Sequence, residues 1–293
     1  MSVISACLGV ARAPFLLLPV TLVALGAAAG ASDGAFDITR TLLALVGLVA
    51  LHVAVNAFNE VSDFRSGIDL ETERTPFSGG SGTLPAGRLG VRAGLVVAWS
   101  GVAVGAIVGV YFLFTVGLDL LPIFAIGALA ALSYTDLLAK LYIGEFFAGL
   151  GLGALPVIGT AMVQGGGLGR TALVAAIPAF CTTYNLLLLN EFPDESADRA
   201  GGRRNLVLLL GRSRAAAVYA AVALIVPATI ALAVRDGIFP TLALVGVIPS
   251  LLLIAPFRWI LSGPANPVSH GALGANVAWN LGTNLFLAAG LLL

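Results

Sequence analysis

Nine predominantly apolar runs occupy almost the whole chain, at approximately 14–31, 41–58, 93–114, 118–135, 144–163, 171–189, 215–234, 237–257 and 271–292. A helix needs about 20 such residues to cross the hydrocarbon core of a bilayer. Inside lipid every backbone polar group must find its partner within the segment or by closure of a barrel, and runs this long exclude a barrel's alternation. The sequence therefore predicts an all-α polytopic membrane protein. Nine transmembrane helices would form one bundle around a cavity, with residues 1–293 as a single domain. A mean hydropathy of +1.02 and a charged content of only 10% agree.

Charge asymmetry orients the bundle, because lysine and arginine accumulate on the cytoplasmic side. Twelve of the fifteen basic residues fall on one side: Arg12 ahead of the first run, and the others in the second, fourth, sixth and eighth connections. Only Arg40, Arg170 and Arg235 fall on the other. The N-terminus is thus expected in the cytoplasm, and the plasma (cell inner) membrane is the expected location. A competing reading of residues 1–31 is a cleaved signal peptide, since Arg12, an apolar run and Ala27-Ala28-Ala29 imitate one. Removing that span would invert the charge asymmetry. Cys7 and Cys181 fit neither a disulfide framework nor a metal spacing. Zero net charge, with basic residues confined to connections, gives no support to nucleic-acid binding.

Acidic residues are scarce, and their placement is not random. Asn59-Glu60-Val61-Ser62-Asp63 is matched by Asn190-Glu191-Phe192-Pro193-Asp194, both reading N-E-x-x-D, and a further aspartate follows each, Asp69 and Asp198. Nine of the fifteen carboxylates lie within 59–73 and 191–198. Such oxygen-rich clusters suit hard cations, and Mg²⁺ commonly sits between a carboxylate or two and substrate phosphates. His52, Asn56, Asn59 or Glu60, and Asp63 recur every three or four residues, so they share one helical face running from within the membrane to its cytoplasmic end. Polar groups at that depth turn to the bundle interior or a wet cavity and mark functional sites. Asn190, Asp194 and Asp198 form the same stripe on the sixth run, with Pro193 expected to break or kink the helix. Two facing acidic stripes repel unless cations lie between them. Glu60 and Glu191 fall off the stripes and are expected to orient neighbouring groups.

Arg65, Arg74, Arg199, Arg203 and Arg204 accompany these acids. Carboxylates mixed with arginines suit a metal-bridged diphosphate, although topology alone also calls for basic residues here. Lys140, the one lysine, either holds an oxyanion or snorkels as an interface anchor. Gly79-Gly80-Ser81-Gly82 has no preceding strand and so is no nucleotide fingerprint; a lid over the site, or a plain flexible connection, remains. Asn276, Asn280 and Asn284 on the last run read as interhelical hydrogen-bond glue, with contact to an acceptor as the alternative.

Taken together, the residues resemble the UbiA superfamily of intramembrane prenyltransferases, which has nine helices and an aspartate-rich motif after the second and the sixth. His52-Val53-Ala54-Val55-Asn56-Ala57-Phe58-Asn59 through Asp63-Phe64-Arg65-Ser66-Gly67-Ile68-Asp69 is most similar to the menaquinone branch, as are Tyr134-Thr135, Gly144-Glu145, Gly159-Thr160 and Val163-Gln164. Asp198-Arg199-Ala200-Gly201-Gly202-Arg203-Arg204-Asn205-Leu206 resembles the family's D-R-x-x-G-K-x-T-L run. Two segments depart from the branch: Glu60 stands where aspartate is common, and Asp136-Leu137-Leu138-Ala139 replaces a Gly-Gly-Pro segment.

The resemblance implies a Mg²⁺-dependent transferase moving a polyprenyl group from an allylic diphosphate to an aromatic acceptor. In the menaquinone branch that acceptor is 1,4-dihydroxy-2-naphthoate, prenylated with loss of its carboxyl group. It implies metal ligands at Asn59, Asp63, Asp69, Asn190, Asp194 and Asp198, with Asp63, Asp194, Lys140 and Arg65 taking part in catalysis. Substrate contacts would come from Asn56, Asn59, Tyr134, Asn190, Arg203 and Arg204, and the polyprenyl tail would lie in the apolar bundle beside membrane lipid. Other acceptors of the same chemistry, such as a glycerol lipid, a carotenoid or the prenyl chain itself, stay open. A secondary transporter fits less well, because its polar groups gather at the midplane.

Overall fold

The protein was analysed as a computed structural model, which describes residues 3–72, 74–75, 77, 79–133 and 141–293. Each apolar run folds as a helix. We label them α1 (Ala13–Ser32), α2 (Ile38–Ser66), α3 (Val91–Thr115), α4 (Leu118–Leu132), α5 (Gly144–Gly166), α6 (Arg170–Ala200), α7 (Arg212–Arg235), α8 (Thr241–Ser262) and α9 (His270–Leu292). No strand occurs among the described residues.

Among the described residues, seven helices are long and apolar enough to cross a membrane, which is two fewer than the runs suggested. α4 is shorter over the residues described. α9 has the length but gives part of it to Asn276, Asn280 and Asn284, all wholly buried. These asparagines act as glue: Asn276 donates to the Asn185 carbonyl at 3.0 Å and accepts from the Tyr219 hydroxyl at 2.9 Å. Asn280 donates to Thr183 Oγ1 at 3.2 Å. A helix face packed against other helices can satisfy polar groups there, so it tolerates them.

α1 belongs to the bundle core, with Leu22, Leu25 and Ala29 fully buried against α5, α6 and α9. Small residues permit the close crossings: a Cβ on Gly26 would come within 2.6 Å of the Val157 carbonyl. Large apolar side chains such as Ile107, Phe114, Leu251 and Leu261 point outward instead. In water they would be a liability; against lipid they are the expected surface.

Pro193 does not end α6, contrary to expectation, since the helix runs unbroken from Arg170 to Ala200. Phe192 and Ala197 anchor it by burial on either side, and Arg212 donates to the Phe192 carbonyl at 3.0 Å. Tertiary packing outweighs the one donor that proline removes. The second acidic motif is therefore held on continuous helix, and the first sits at the end of α2, which packs along α3.

Candidate active site at the ends of α2 and α6

The first motif closes α2. Gly67, with φ of +83°, turns the chain into a short helix, Ile68–Glu71, which carries Asp69. A left-handed residue at a helix end is the usual place for glycine, because a Cβ is strained there. Asp63 and Asp69 are 5% and 2% exposed, so both are committed to the interior.

Arg203 joins the two motifs. Its guanidinium is paired with Asp63 on α2 and lies 3.6 Å from Asp198 on α6. Asp63 and Asp198, one from each motif, are thus bridged by a cation already in place. Asp198 is fixed further by Asn205, whose Nδ2 donates to Oδ2 at 2.9 Å. Asn205 in turn caps the short helix Leu206–Leu210, accepting from the Leu208 N–H at 2.9 Å.

A second arginine enters from the N-terminal segment. Arg12 donates from Nε to Glu60 Oε1 at 2.7 Å and lies close enough to Asp63, Asp69 and Asp194 to act on all three electrostatically. Glu60 has no exposed surface and also accepts from the Ser81 N–H at 2.6 Å and the Ser81 hydroxyl at 2.8 Å. One carboxylate thus ties the N-terminal arginine and the glycine-rich loop to α2. That loop lies on the site: a Cβ at Gly80 would approach Asp69 Oδ1 to 2.5 Å, and Gly80 has φ of +71°. Arg74 steadies the same corner by donating to the Asp69 carbonyl at 3.1 Å.

Asn59 and Asn190 are both half-buried, and Asn190 Nδ2 donates to the Phe77 carbonyl at 3.2 Å, leaving its oxygen free. Asn56 spends its amide on the Ala11 carbonyl at 2.9 Å, which holds the N-terminal segment to α2. Arg65 is exposed and forms no ion pair among the described residues. Arg204 is exposed too and stacks over the Tyr142 ring, 5.7 Å from its centroid. Of the two adjacent arginines, only Arg203 faces the acids. Tyr134 and Lys140 lie outside the described residues.

Sequence reasoning missed four contributors. Arg12 read as a topology charge, and nothing in its neighbourhood marks it otherwise. Ser81 was part of a glycine-rich loop with no assigned partner, and Asn205 was quoted only as the end of a family run. Glu145, 1% exposed, accepts from the Leu206 N–H at 2.6 Å and lies within hydrogen-bonding reach of Glu191. An isolated acid at the start of an apolar run could have flagged it, since such a charge must find partners.

The donor chemistry fits a hard divalent cation. Buried oxygens of Asp69 (Oδ2), Asn190 (Oδ1) and Asp194 (Oδ1) have no hydrogen-bond partner, and orphaned buried oxygens are costly without a cation or donor. Burial, then the Glu60 and Asp63 carboxylates, push the Asp69 carboxyl up to about 7. Among the described residues, no three His, Cys, Asp or Glu side chains come together to hold a metal alone. Oxygens from a phosphate ligand would have to complete the shell, which is how Mg²⁺ usually binds.

Comparison with known proteins agrees with this geometry. The UbiA prenyltransferase family matches residues 17–289, and the chain belongs to that family as an integral membrane protein. It is 25% identical over 63% of its length to a 1,4-dihydroxy-2-naphthoate octaprenyltransferase of Bacillus subtilis. It is 31% identical over 66% of its length to UbiA prenyltransferase domain-containing protein 1 of Rattus norvegicus. The matched part spans only 59% and 57% of those two relatives. A UbiA homologue from Archaeoglobus fulgidus, solved with GPP and Mg²⁺ bound, superimposes with a TM-score of 0.68 at 13% identity, covering 97% of this chain and 98% of the other.

Proposed function

We propose that the chain is a Mg²⁺-dependent intramembrane prenyltransferase, working as one domain, that moves a polyprenyl group from an allylic diphosphate to 1,4-dihydroxy-2-naphthoate. The observation that carries this reading is the set of orphaned oxygens on Asp69, Asn190 and Asp194, drawn from two separate motifs and flanked by Arg12 and Arg203. A site built of acids alone would repel a diphosphate, and one built of arginines alone would not need the acids. The combination suits an anion that arrives with its cation.

Asp63, Asp69, Asp194 and Asp198, with Asn59 and Asn190, would hold Mg²⁺. When bound, the metal neutralises charge that gathers on the departing diphosphate. Arg12 and Arg203 add fixed positive charge on two sides of the same anion, stabilisation that grows as the allylic C–O bond breaks. Glu60 keeps Arg12 and the Ser81 loop in place, so water is excluded from the allylic cation left behind. A ring carbon of the acceptor then forms the new C–C bond, and the acceptor's carboxyl group leaves as carbon dioxide. The naphthoate acceptor is supported by the menaquinone-type motif run His52 to Asp69 and by the Bacillus subtilis relative's name. Twelve basic residues on the motif side support a cytoplasmic mouth in the cell membrane.

The test is purified protein supplied with geranylgeranyl diphosphate, Mg²⁺ and 1,4-dihydroxy-2-naphthoate. Mass spectrometry should find a prenylated, decarboxylated naphthoquinol, and EDTA should stop diphosphate release. Turnover with a glycerol phosphate acceptor but not with the naphthoate would reassign the acceptor. No metal-dependent diphosphate release with any acceptor would overturn the enzyme.

A further inference from the structure

The chamber deeper in the bundle has a use that the acidic site does not explain. A cavity of ≈ 360 Å³ lies between α2, α3, α4 and α5, walled by apolar groups such as Leu51, Val55, Phe124 and Phe147. Two polar side chains, His52 and Thr160, interrupt that wall. His52 is 5% exposed, its Nδ1 lies 3.0 Å from the Leu48 carbonyl, and its Nε2 has no partner. A carbonyl can only accept, so Nδ1 carries the proton and Nε2 presents a lone pair.

His52 lies on the stripe that carries Asn59 and Asp63, seven and eleven residues away, hence on nearly the same helical face. Seven residues correspond to about 10 Å of helix axis. His52 thus lies about two turns deeper on the same face of α2 that carries the site that would hold the diphosphate. Hydrocarbon filling the chamber would leave the Nε2 lone pair orphaned, whereas a hydroxyl would satisfy it, and leaving a buried acceptor unmade costs more than the bond is worth in water. Glycines, among them Gly105, Gly127 and Gly151, line the walls and leave flat surfaces.

We infer that this chamber is the acceptor site. It takes a planar aromatic with a phenolic hydroxyl donating to His52 Nε2, and the reacting edge and carboxylate are directed up α2 towards Arg12 and Arg203. The inference rests on the prenyl-transfer reading and adds the specificity-determining residue for the second substrate.

The experiment measures equilibrium binding to the full protein in detergent with Mg²⁺. The probes are 1,4-dihydroxy-2-naphthoate, its 1,4-dimethoxy analogue and an unreactive geranylgeranyl thiolodiphosphate. Wild type should prefer the dihydroxy over the dimethoxy probe by about tenfold or more, the value of one buried hydrogen bond. His52→Phe should erase that preference, and His52→Gln, which keeps an acceptor, should restore part of it. Gly127→Leu fills the chamber from a position where an added Cβ meets nothing within 4 Å. It should weaken the dihydroxy probe about tenfold while thiolodiphosphate binding stays unchanged, and it keeps the test open if His52→Phe fails to fold. Weaker thiolodiphosphate binding in Gly127→Leu with the naphthoate unaffected would make the chamber the tail site and overturn the inference. So would unchanged binding of both probes. Loss of metal-dependent diphosphate release in wild type would instead overturn the underlying function, so the two failures are separable.

Discussion

The two N-E-x-x-D motifs have the same spelling and different supports. In the first, Glu60 is saturated: Arg12 and two groups of Ser81 use its oxygens, and the chain turns at Gly67 so that Asp69 comes back beneath Gly80. In the second, the helix continues past Pro193, and Asp198 is reached on the same helix and fixed by Asn205 and Arg203. Glu191 meets another acid, Glu145, and keeps one oxygen without a partner. A repeated sequence has therefore not produced a repeated site. The first half holds a loop and an arginine in place; the second presents oxygens from one continuous helix.

The aspartates are the part the halves share, and the largest effects should be there. Asp63→Ala and Asp194→Ala should each abolish turnover and leave a folded, membrane-inserted protein, because each removes a proposed metal ligand and no apolar core side chain. Diphosphate release measured beside thermal stability in detergent checks both. Near wild-type turnover in either variant would break the paired site.

Next in size is the coupling between the halves. If oxygens of both motifs and of the diphosphate share one cation, Mg²⁺ and a thiolodiphosphate analogue should each tighten the other's binding by the same factor, about 5–150-fold as is typical of linked sites. Titrating each with and without the other measures it. Equal analogue affinity in Mg²⁺ and in EDTA would separate the motifs from the diphosphate.

The glutamates should distinguish the halves. Glu60→Gln weakens the hold on Arg12 and Ser81, and losses of about 10–100-fold are usual when a group orienting a ligand is changed. Glu191→Gln keeps a hydrogen-bonding group facing Glu145 and should cost less. Equal losses would mean the supports are alike after all. A Glu60→Gln variant as inactive as Asp63→Asn would promote Glu60 to a direct ligand.

The smallest effect concerns pH. Since the folded protein holds Asp69 protonated up to about 7 against an ordinary value of 3.8, the fold binds a proton that the unfolded chain has released. That contribution to stability is complete below about 3.8 and is lost as pH rises through about 7. Metal-free protein should therefore show a Tm that falls between pH 5 and 8 by more than that of Asp69→Asn, and Mg²⁺ with the diphosphate analogue should reverse the fall. Parallel Tm profiles for wild type and Asp69→Asn would remove Asp69 from the buried cluster.

The sequence by itself determined the fold class, the order and approximate centres of the helices, and the presence of two acidic stripes, although α2 and α6 each run on past their apolar run to take in the acidic motif. Apolar length and helical periodicity are local properties, and a charge scarce in lipid declares itself wherever it stands. It also separated Asp63, Asp194 and Asp198 from Glu60 and Glu191, because 3.6-residue periodicity assigns faces without knowledge of neighbours. The tertiary structure alone decided that Arg12 joins the site, that Arg203 faces the acids and Arg204 does not, and that Asn56 ties the N-terminal segment and leaves ligand binding to others. It decided too that α6 passes through Pro193 unbroken. Each of these depends on partners 20 to 140 residues distant in sequence, such as Ser81 for Glu60 and Arg203 for Asp63. Hydrogen bonds and charge pairing act over a few ångströms of space, so only the packed bundle could choose those partners.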